Sequence, residues 1–135
     1  MRLALIGYGK MGKEIERLAL ERGWNVEVRV DIDTPPVTKA QRENTDVVIH
    51  FAIAKNIVSD LTPWAEAGKP IVVGTTGWQD QLQSIEALVT QYHIGFIYAS
   101  NFSIGVNIFF RLVKTAAQIM DKFDDYDAFI QEIHH

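Results

Sequence analysis

The chain has 135 residues, of which 47% are hydrophobic and 22% are charged, and this composition excludes a disordered or fibrous protein. The length allows one main hydrophobic core, and the net charge of −4 without a basic run disfavours nucleic acid and anionic membranes as partners. The absence of cysteine excludes disulfides and thiolate metal sites. We therefore expect a cytoplasmic protein without a bound metal.

The first predicted element is a short apolar strand, residues 3–6, followed at once by a glycine-rich turn and a helix. The turn reads Gly7-Tyr8-Gly9-Lys10-Met11-Gly12, which is the spacing G-x-G-x-x-G. In such a turn the glycines allow a sharp bend, close approach of a pyrophosphate and tight helix packing, and the unpaired N–H groups of the helix face the phosphates. The sequence predicts dinucleotide binding; the alternative is a glycine-rich turn that binds nothing.

A helix and a second strand follow the glycine turn. Met11, Ile15, Leu18 and Ala19 share one face of the predicted helix, and Gly23 is typical of the position after a helix end. Residues 26–31 then alternate between apolar and polar side chains, which predicts a strand.

Asp31 ends this second strand, nineteen residues after the last glycine of the turn. An acid at this position accepts hydrogen bonds from the adenine ribose of NAD and repels the 2′-phosphate of NADP. The sequence therefore favours NADH over NADPH. Two alternatives remain: Lys10 or Arg29 could bind a phosphate, or Asp31 could only solvate a loop.

A third buried strand is predicted at residues 46–52, and its carboxyl end should face the ligand. Phe51 is a candidate contact for a cofactor ring, with core packing as an equal alternative. His50 is predicted to be a hydrogen-bonded histidine of the strand. The next helix should be interrupted by Pro63 and restart there.

Residues 70–77 combine a fourth strand with a loop of small residues, Gly74-Thr75-Thr76-Gly77, whose N–H groups and hydroxyls could hold an amide of a ligand. A striped helix and a fifth strand, residues 95–99, follow. This repeating order of strand and helix predicts an α/β fold, a Rossmann-like doubly wound parallel sheet.

The end of the chain departs from this alternation. Residues 104–123 carry a wide apolar stripe and predict a helix of about 20 residues, about 30 Å long. Residues 126–133 then alternate as a strand that has no later partner in the sequence. We expect a dinucleotide-binding domain at residues 1–103 and, at 104–135, the start of a second α+β domain that is incomplete.

Four motifs together resemble 4-hydroxy-tetrahydrodipicolinate reductase, also called dihydrodipicolinate reductase, an enzyme family of lysine and diaminopimelate biosynthesis. The resemblance covers the whole chain in order, and the last three motifs are more specific than the first. They are Gly7 to Gly12, Gly74 to Gly77, Ala99-Ser100-Asn101-Phe102-Ser103-Ile104-Gly105-Val106-Asn107, and Glu132-Ile133-His134-His135.

The resemblance implies NAD(P)H-dependent reduction of a small cyclic dicarboxylate by a homotetramer, and it implies roles for individual residues. The first turn would bind the pyrophosphate and Asp31 the adenine ribose. Phe51 would face the cofactor. The nicotinamide end would be held by Gly74, Thr75, Thr76, Ala99, Ser100, Asn101 and Phe102. His134 would be the proton donor, and His135 would bind the substrate.

The chain also departs from the family pattern. Lys10 stands where arginine is common, and His50-Phe51-Ala52 replaces Asp-Phe-Thr or Asp-Phe-Ser. The lysine and the Asp-Ala-Pro-Ser-Gly-Thr loop that follow the two histidines in the family are missing. We therefore expect this chain to bind the cofactor but to turn over substrate poorly. The alternative is a non-catalytic NAD(H)-binding regulatory module.

Overall fold

A computed structural model describes residues 1–131 and 133, and the chain forms two compact units, Met1–Ser100 and Asn101–His135. The first unit alternates five strands with four helices, and the second begins with one long helix. The elements are β1 Arg2–Ile6, α1 Lys10–Glu21, β2 Asn25–Val30, α2 Lys39–Glu43, β3 Val47–His50, α3 Ile57–Glu66, β4 Ile71–Val73, α4 Leu82–Tyr92, β5 Phe96–Tyr98 and α5 Ile104–Met120.

The five strands form one sheet in the order β2-β1-β3-β4-β5, and every neighbouring pair is parallel. The predicted parallel α/β sheet is therefore confirmed. The order reverses between β1 and β3, so the connections leaving these two strands run in opposite directions. In open α/β sheets, this switch point is where a crevice opens beyond the carboxyl ends of the strands.

Both faces of the sheet are covered, as the alternation of β1 shows most clearly. Leu3 and Leu5 pack with Ala19 of α1 on one face, whereas Ala4 and Ile6 belong to the larger core on the other face. The larger core is filled from α3, α4 and the loop after β4. Its largest buried residues include Ile57, Leu61, Trp64, Trp78 and Ile85.

Helix α3 corrects the expectation of a break at Pro63, since the helix runs through this residue. Proline removes one backbone hydrogen bond and costs about 3 kcal/mol inside a helix. On either side of it, Leu61, Trp64 and Ala65 are all buried in the larger core. Their packing offsets the local cost, so the helix continues to Glu66.

Two further details of the helices differ from the expectation. Met11 is 51% exposed, because the buried face of α1 is centred on Gly12 and Ala19 rather than on Met11. The polar connection after β2 contains the short helix α2, which a reciprocal pair of hydrogen bonds between Thr38 and Gln41 starts. This capping box is a local signal for the start of a helix, and it lies in a polar segment that was expected to be only a connection.

The second unit contains α5, which ends at Met120, three residues before the predicted end. The predicted strand at residues 126–133 is not formed over residues 126–131, where the structure has no regular element. A strand needs a hydrogen-bonded neighbour, and residues 126–131 pair with none in the described part of the chain. Over the described residues, no helix is both long and apolar enough to span a membrane.

Candidate functional site

Backbone hydrogen bonds continue beyond the ends of the strands and join the loops that leave the carboxyl edge of the sheet. Each of these bonds connects the first residue after one strand to the end of its neighbour. They run from Gly7 N to Val30 O (2.9 Å), Phe51 N to Ile6 O (2.7 Å), Gly74 N to His50 O (2.9 Å) and Ala99 N to Val73 O (3.2 Å). The sheet therefore brings most of the residues predicted from separate motifs to one edge.

A cavity of about 480 Å³ opens at this edge, at the switch point between β1 and β3. Its lining includes Gly7, Gly9, Asp31, Phe51 and Asp60. The first four of these were predicted from the sequence, whereas Asp60 was not. Asp60 lies inside α3, where nothing in the local sequence distinguishes it from an ordinary surface acid.

The turn after β1 needs glycine at two positions for different reasons. Gly7 has φ +91°, and a Cβ there would overlap the backbone of Phe51. A Cβ on Gly12 would lie 2.5 Å from the carbonyl oxygen of Gly7. By contrast, a Cβ on Gly9 would meet no atom within 4 Å, so open space lies beside this residue.

The N-terminus of α1 is left uncapped by side chains. Gly9 is its N-cap residue and makes no side-chain hydrogen bond to the first turn, which also carries no acidic residue. In α2 and α5, by contrast, the hydroxyls of Thr38 and Ser103 accept a bond from the first turn, while α3 and α4 also lack a side-chain cap. The first N–H groups of α1 are therefore left for solvent or an anion.

Arg29 and Tyr8 are held together by Glu16. The Arg29 guanidinium donates from Nε to both Glu16 oxygens at 3.0 and 3.1 Å, and the Tyr8 hydroxyl donates to the same carboxylate. The Arg29 guanidinium carbon lies 5.9 Å from the centre of the Tyr8 ring. These bonds, those from Arg29 first, keep the pKa of Glu16 below its usual value. Arg29 is thus engaged within the protein, whereas Lys10 is exposed.

Asp31 follows β2 directly and is exposed at the cavity. Its side chain accepts a bond from the N–H of Ile32 at 2.9 Å, and its own N–H donates to the Thr34 hydroxyl at 2.8 Å. These local bonds fix the turn after β2. The carboxylate keeps acceptor capacity, since each of its two oxygens can take more than one hydrogen bond.

Phe51 lies against the loop that follows β4. A Cβ on Gly74 would overlap the Phe51 ring, so only glycine allows this contact. In the same loop the Thr75 carbonyl accepts a bond from the Trp78 indole at 2.8 Å, while Thr76 is exposed. The ring of Phe51 is partly buried and also borders the cavity, so packing and ligand contact are compatible.

His50 is fully buried and uses both ring nitrogens, as predicted for a hydrogen-bonded strand histidine. Its Nδ1 lies 2.7 Å from the Thr75 hydroxyl oxygen, and its Nε2 lies 3.2 Å from a carboxylate oxygen of Asp60. Burial lowers the pKa of His50 below the usual histidine value, and the nearby Asp60 carboxylate partly opposes this effect.

The remaining predicted site residues lie outside this cavity lining. Ala99 and Ser100 follow β5 at the end of the first unit, whereas Asn101 and Phe102 begin the second. In the second unit, Asn101 organises the start of α5, because its side chain accepts a bond from Ser103 N at 2.8 Å. The predicted catalytic His134 and substrate-binding His135 lie outside the described residues.

A larger cavity, about 560 Å³, lies between α4 and β5. It is lined mainly by the aliphatic and aromatic side chains of Leu82, Val89, Ile94, Phe96 and Tyr98, and by none of the residues predicted to bind a ligand. By volume alone, this larger cavity would be the preferred ligand site. The smaller cavity is the better candidate site because the glycine turn, the open helix terminus and the acid after β2 converge there.

The buried His50 predicts a pH-dependent stability. The unfolded chain takes up a proton on this histidine below about pH 6.5, whereas the folded protein resists it, so the free energy of unfolding should fall with pH from about 6.5 downward. The loss should be at most about 1.4 kcal/mol per pH unit, and urea denaturation between about pH 7.5 and 5.5 would measure it.

The variant His50→Gln should lose this slope, whereas replacement of the exposed His93 by asparagine should keep it. An equal slope in His50→Gln and in the unsubstituted protein would contradict the assignment.

The comparison with known proteins agrees with this geometry. The family described as dihydrodipicolinate reductase, N-terminus, matches residues 1–102. The chain is 38% identical to a protein from Christiangramia forsetii named 4-hydroxy-tetrahydrodipicolinate reductase. The alignment covers all of this chain and 56% of that protein. A protein of the same name from Methanoculleus marisnigri is 31% identical, over 94% of this chain and 54% of that protein. The chain spans about half the length of these curated relatives.

Solved structures show the same fold at low sequence identity. A dehydrogenase from Chromobacterium violaceum, solved in complex with NADH and UDP-GlcNAcA, is 16% identical with a TM-score of 0.61, covering 89% of this chain and 40% of that one. An NAD-binding protein from Listeria innocua is 20% identical with a TM-score of 0.54, covering 74% and 35%. The fold is thus shared with these proteins, and by the match of its first 102 residues the chain belongs to the dihydrodipicolinate reductase family.

Proposed function

We propose that this chain binds a reduced nicotinamide dinucleotide and is the cofactor-binding part of a reductase acting on 4-hydroxy-tetrahydrodipicolinate. The reaction would belong to lysine and diaminopimelate biosynthesis. One observation carries the proposal: in a chain of this family, the glycine turn, Asp31, Phe51 and Gly74 meet at one edge of the sheet, three of these four around a single cavity.

The diphosphate fits the turn after β1. The open space beside Gly9 would let the ligand approach the backbone, and the uncapped N–H groups of α1 would donate to the phosphate oxygens. The positive end of the helix dipole adds a favourable field for the negative charge. Lys10 is exposed at the first position of the helix, where its ammonium could neutralise a phosphate. The NADH complex of the Chromobacterium violaceum dehydrogenase supports this use of the fold.

NADH is proposed to be preferred over NADPH. The carboxylate of Asp31 would accept bonds from the adenine ribose hydroxyls and repel a 2′-phosphate. Arg29, the cation two residues earlier that could have relieved this repulsion, is already bonded to Glu16 and lies over the Tyr8 ring. Ile32, the residue directly after Asp31, is 85% exposed and carries no charge that could bind a 2′-phosphate.

The nicotinamide end would be held by Gly74, Thr75 and Thr76, together with the residues that follow β5. The bound cofactor supplies the hydride, and the protein supplies position and a proton. His134 is proposed to donate this proton, because a histidine changes its charge near neutral pH, and His135 to bind a carboxylate of the substrate. The assembled reductase is proposed to be a homotetramer.

A fluorescence titration with NADH, with and without pyridine-2,6-dicarboxylate, tests the function. The dicarboxylate mimics the substrate and should change the affinity for NADH or the nicotinamide fluorescence. NADH binding that the dicarboxylate does not affect would favour the regulatory alternative. Failure to bind NADH at all would overturn the proposal.

Gly9→Ala should separate binding from folding. A methyl group at this position meets no protein atom, so the free energy of unfolding should fall only by about 1 kcal/mol, the usual cost of alanine at a helix N-cap. The same methyl group would occupy the space of the diphosphate, so the Kd for NADH should rise at least about tenfold, which corresponds to about 1.4 kcal/mol.

The matched control is Gly95→Ala, at the amino end of β5, where a Cβ makes only an ordinary contact with Pro70. This variant should bind NADH normally. Equal affinities of Gly9→Ala and Gly95→Ala for NADH would indicate that the diphosphate does not bind beside Gly9.

Asp31→Ala should change the choice between the two cofactors. Removal of the carboxylate abolishes both its bonds to the ribose and its repulsion of a 2′-phosphate, so the ratio of the Kd for NADPH to that for NADH should fall about tenfold. Titrations of both cofactors measure the ratio. Glu27→Ala, which removes an exposed acid from β2, the strand that Asp31 follows, controls for net charge and should leave the ratio unchanged. NADPH binding that Asp31→Ala does not alter would contradict the preference.

A further inference from the structure

Asp60, His50 and Thr75 form a continuous hydrogen-bonded row beneath the candidate site. The row begins on α3, passes through the last residue of β3 and ends in the loop after β4. Asp60 borders the cavity with a side chain that is 29% exposed, whereas His50 is 0% exposed and Thr75 is 8% exposed. The row thus connects the cavity to the loop proposed to hold the nicotinamide.

The hydrogen bonds of the row have a defined direction. A carboxylate only accepts, so His50 must donate to Asp60 from Nε2. A neutral imidazole has one N–H, which leaves Nδ1 as an acceptor and makes the Thr75 hydroxyl the donor. Burial keeps His50 in the neutral form near neutral pH. The longer contacts from the Thr75 hydroxyl to the carbonyl oxygens of Ala52 and His50, at 3.3 and 3.4 Å, are the alternatives that this direction disfavours.

Packing alone does not require a polar residue at the buried end of β3. The two strands on either side of β3, β1 and β4, end in the apolar residues Ile6 and Val73, whereas β3 ends in a fully buried histidine. A buried polar side chain is costly unless every polar atom finds a partner, and His50 finds both. The arrangement also differs from a hydrolase triad, in which the acid binds Nδ1 and an accessible nucleophile lies at Nε2.

Thr75 is fixed from two sides. Its hydroxyl is bonded to His50, and its carbonyl oxygen is bonded to the Trp78 indole at 2.8 Å. The next residue, Thr76, is exposed. With Thr75 fixed in this way, the exposed part of the loop is presented in one orientation.

We propose that His50 is a positioning residue: held by Asp60 in the Nε2–H form, it fixes the Thr75 hydroxyl and thereby orients the loop 74–77 toward the nicotinamide group. This inference rests on the proposed binding of a nicotinamide dinucleotide. It adds a role for two residues, His50 and Asp60, that need not touch the cofactor's reactive ring. Disruption of the row should weaken the binding of the nicotinamide while sparing the rest of the dinucleotide.

The test compares NADH with ADP-ribose, which has the same diphosphate and both riboses but lacks the nicotinamide. His50→Gln can keep the bond to Asp60, since its amide lies at the level of Nε2, but it loses the bond to Thr75. His50→Asn does the reverse, since its amide lies at the level of Nδ1. In His50→Gln the Kd for NADH should rise about tenfold more than that for ADP-ribose.

His50→Asn should change the two dissociation constants by similar factors, within about threefold of each other. A general loss of structure would weaken both ligands in both variants. Equal effects of the two variants, or an effect on ADP-ribose as large as that on NADH, would overturn the role of His50.

The ¹⁵N chemical shifts of His50 in the unsubstituted protein give a second readout that does not depend on a variant folding. They should report the Nε2–H form near neutral pH, and this signal should persist in Thr75→Ser but change in Asp60→Asn. A proton on Nδ1 in the unsubstituted protein would overturn the inference. If the unsubstituted protein binds neither NADH nor ADP-ribose, the proposed function fails and this inference with it; normal binding with an unaffected ratio in His50→Gln overturns only the inference.

Discussion

The close approach of Gly7 to the backbone of Phe51 is the constraint on which the site depends. The chain leaves β1 with a positive φ directly beside the end of β3, and a Cβ would overlap the Phe51 carbonyl oxygen. This contact allows β1 and β3 to be neighbours while α1 starts immediately above them. The crevice between the two strands, and the open N-terminus of α1 beside it, both follow from this single turn.

Charge at the site is controlled by pairing rather than by the overall composition. The net charge is −4, yet the proposed ligand carries negative phosphates, so the attraction must come from local groups. The backbone dipoles of α1 and the exposed Lys10 can supply it. Arg29 is paired with Glu16 and cannot neutralise a 2′-phosphate, while Asp31 remains exposed. Together these two features give the proposed preference for NADH. Pairing also matters below the site, where the hydrogen bond to Asp60 determines which nitrogen of His50 carries the proton.

The sequence was sufficient to predict the fold and the edge of the sheet where the site lies, because these depend on period and spacing. Short apolar runs and, for residues 26–31, alternation of apolar and polar side chains predicted all five strands, and Asp31 could be located from the length of one strand–helix–strand unit. The partners of His50 and Arg29 could not be predicted, since Asp60 and Glu16 are distant in sequence and lie in helices that resemble ordinary amphipathic surface helices.

Two local predictions were wrong because each depended on tertiary partners that local sequence does not reveal. Pro63 did not end α3 because the residues around it are buried, and residues 126–131 did not form a strand because alternation alone supplies no hydrogen-bonded neighbour. The roles of His134 and His135 depend on the family resemblance alone, because these two residues lie outside the described residues.

The most direct measurement is an amide ¹H–¹⁵N titration of the isotope-labelled chain with NADH. Binding of the dinucleotide at the carboxyl edge of the sheet predicts saturable shifts at Gly7 to Gly12, at Asp31 and in the loop 74–77, with the amino ends of the strands unaffected. Saturable shifts confined to the cavity between α4 and β5, or no saturable shift at all, would contradict the claim that the carboxyl edge of the sheet binds the dinucleotide.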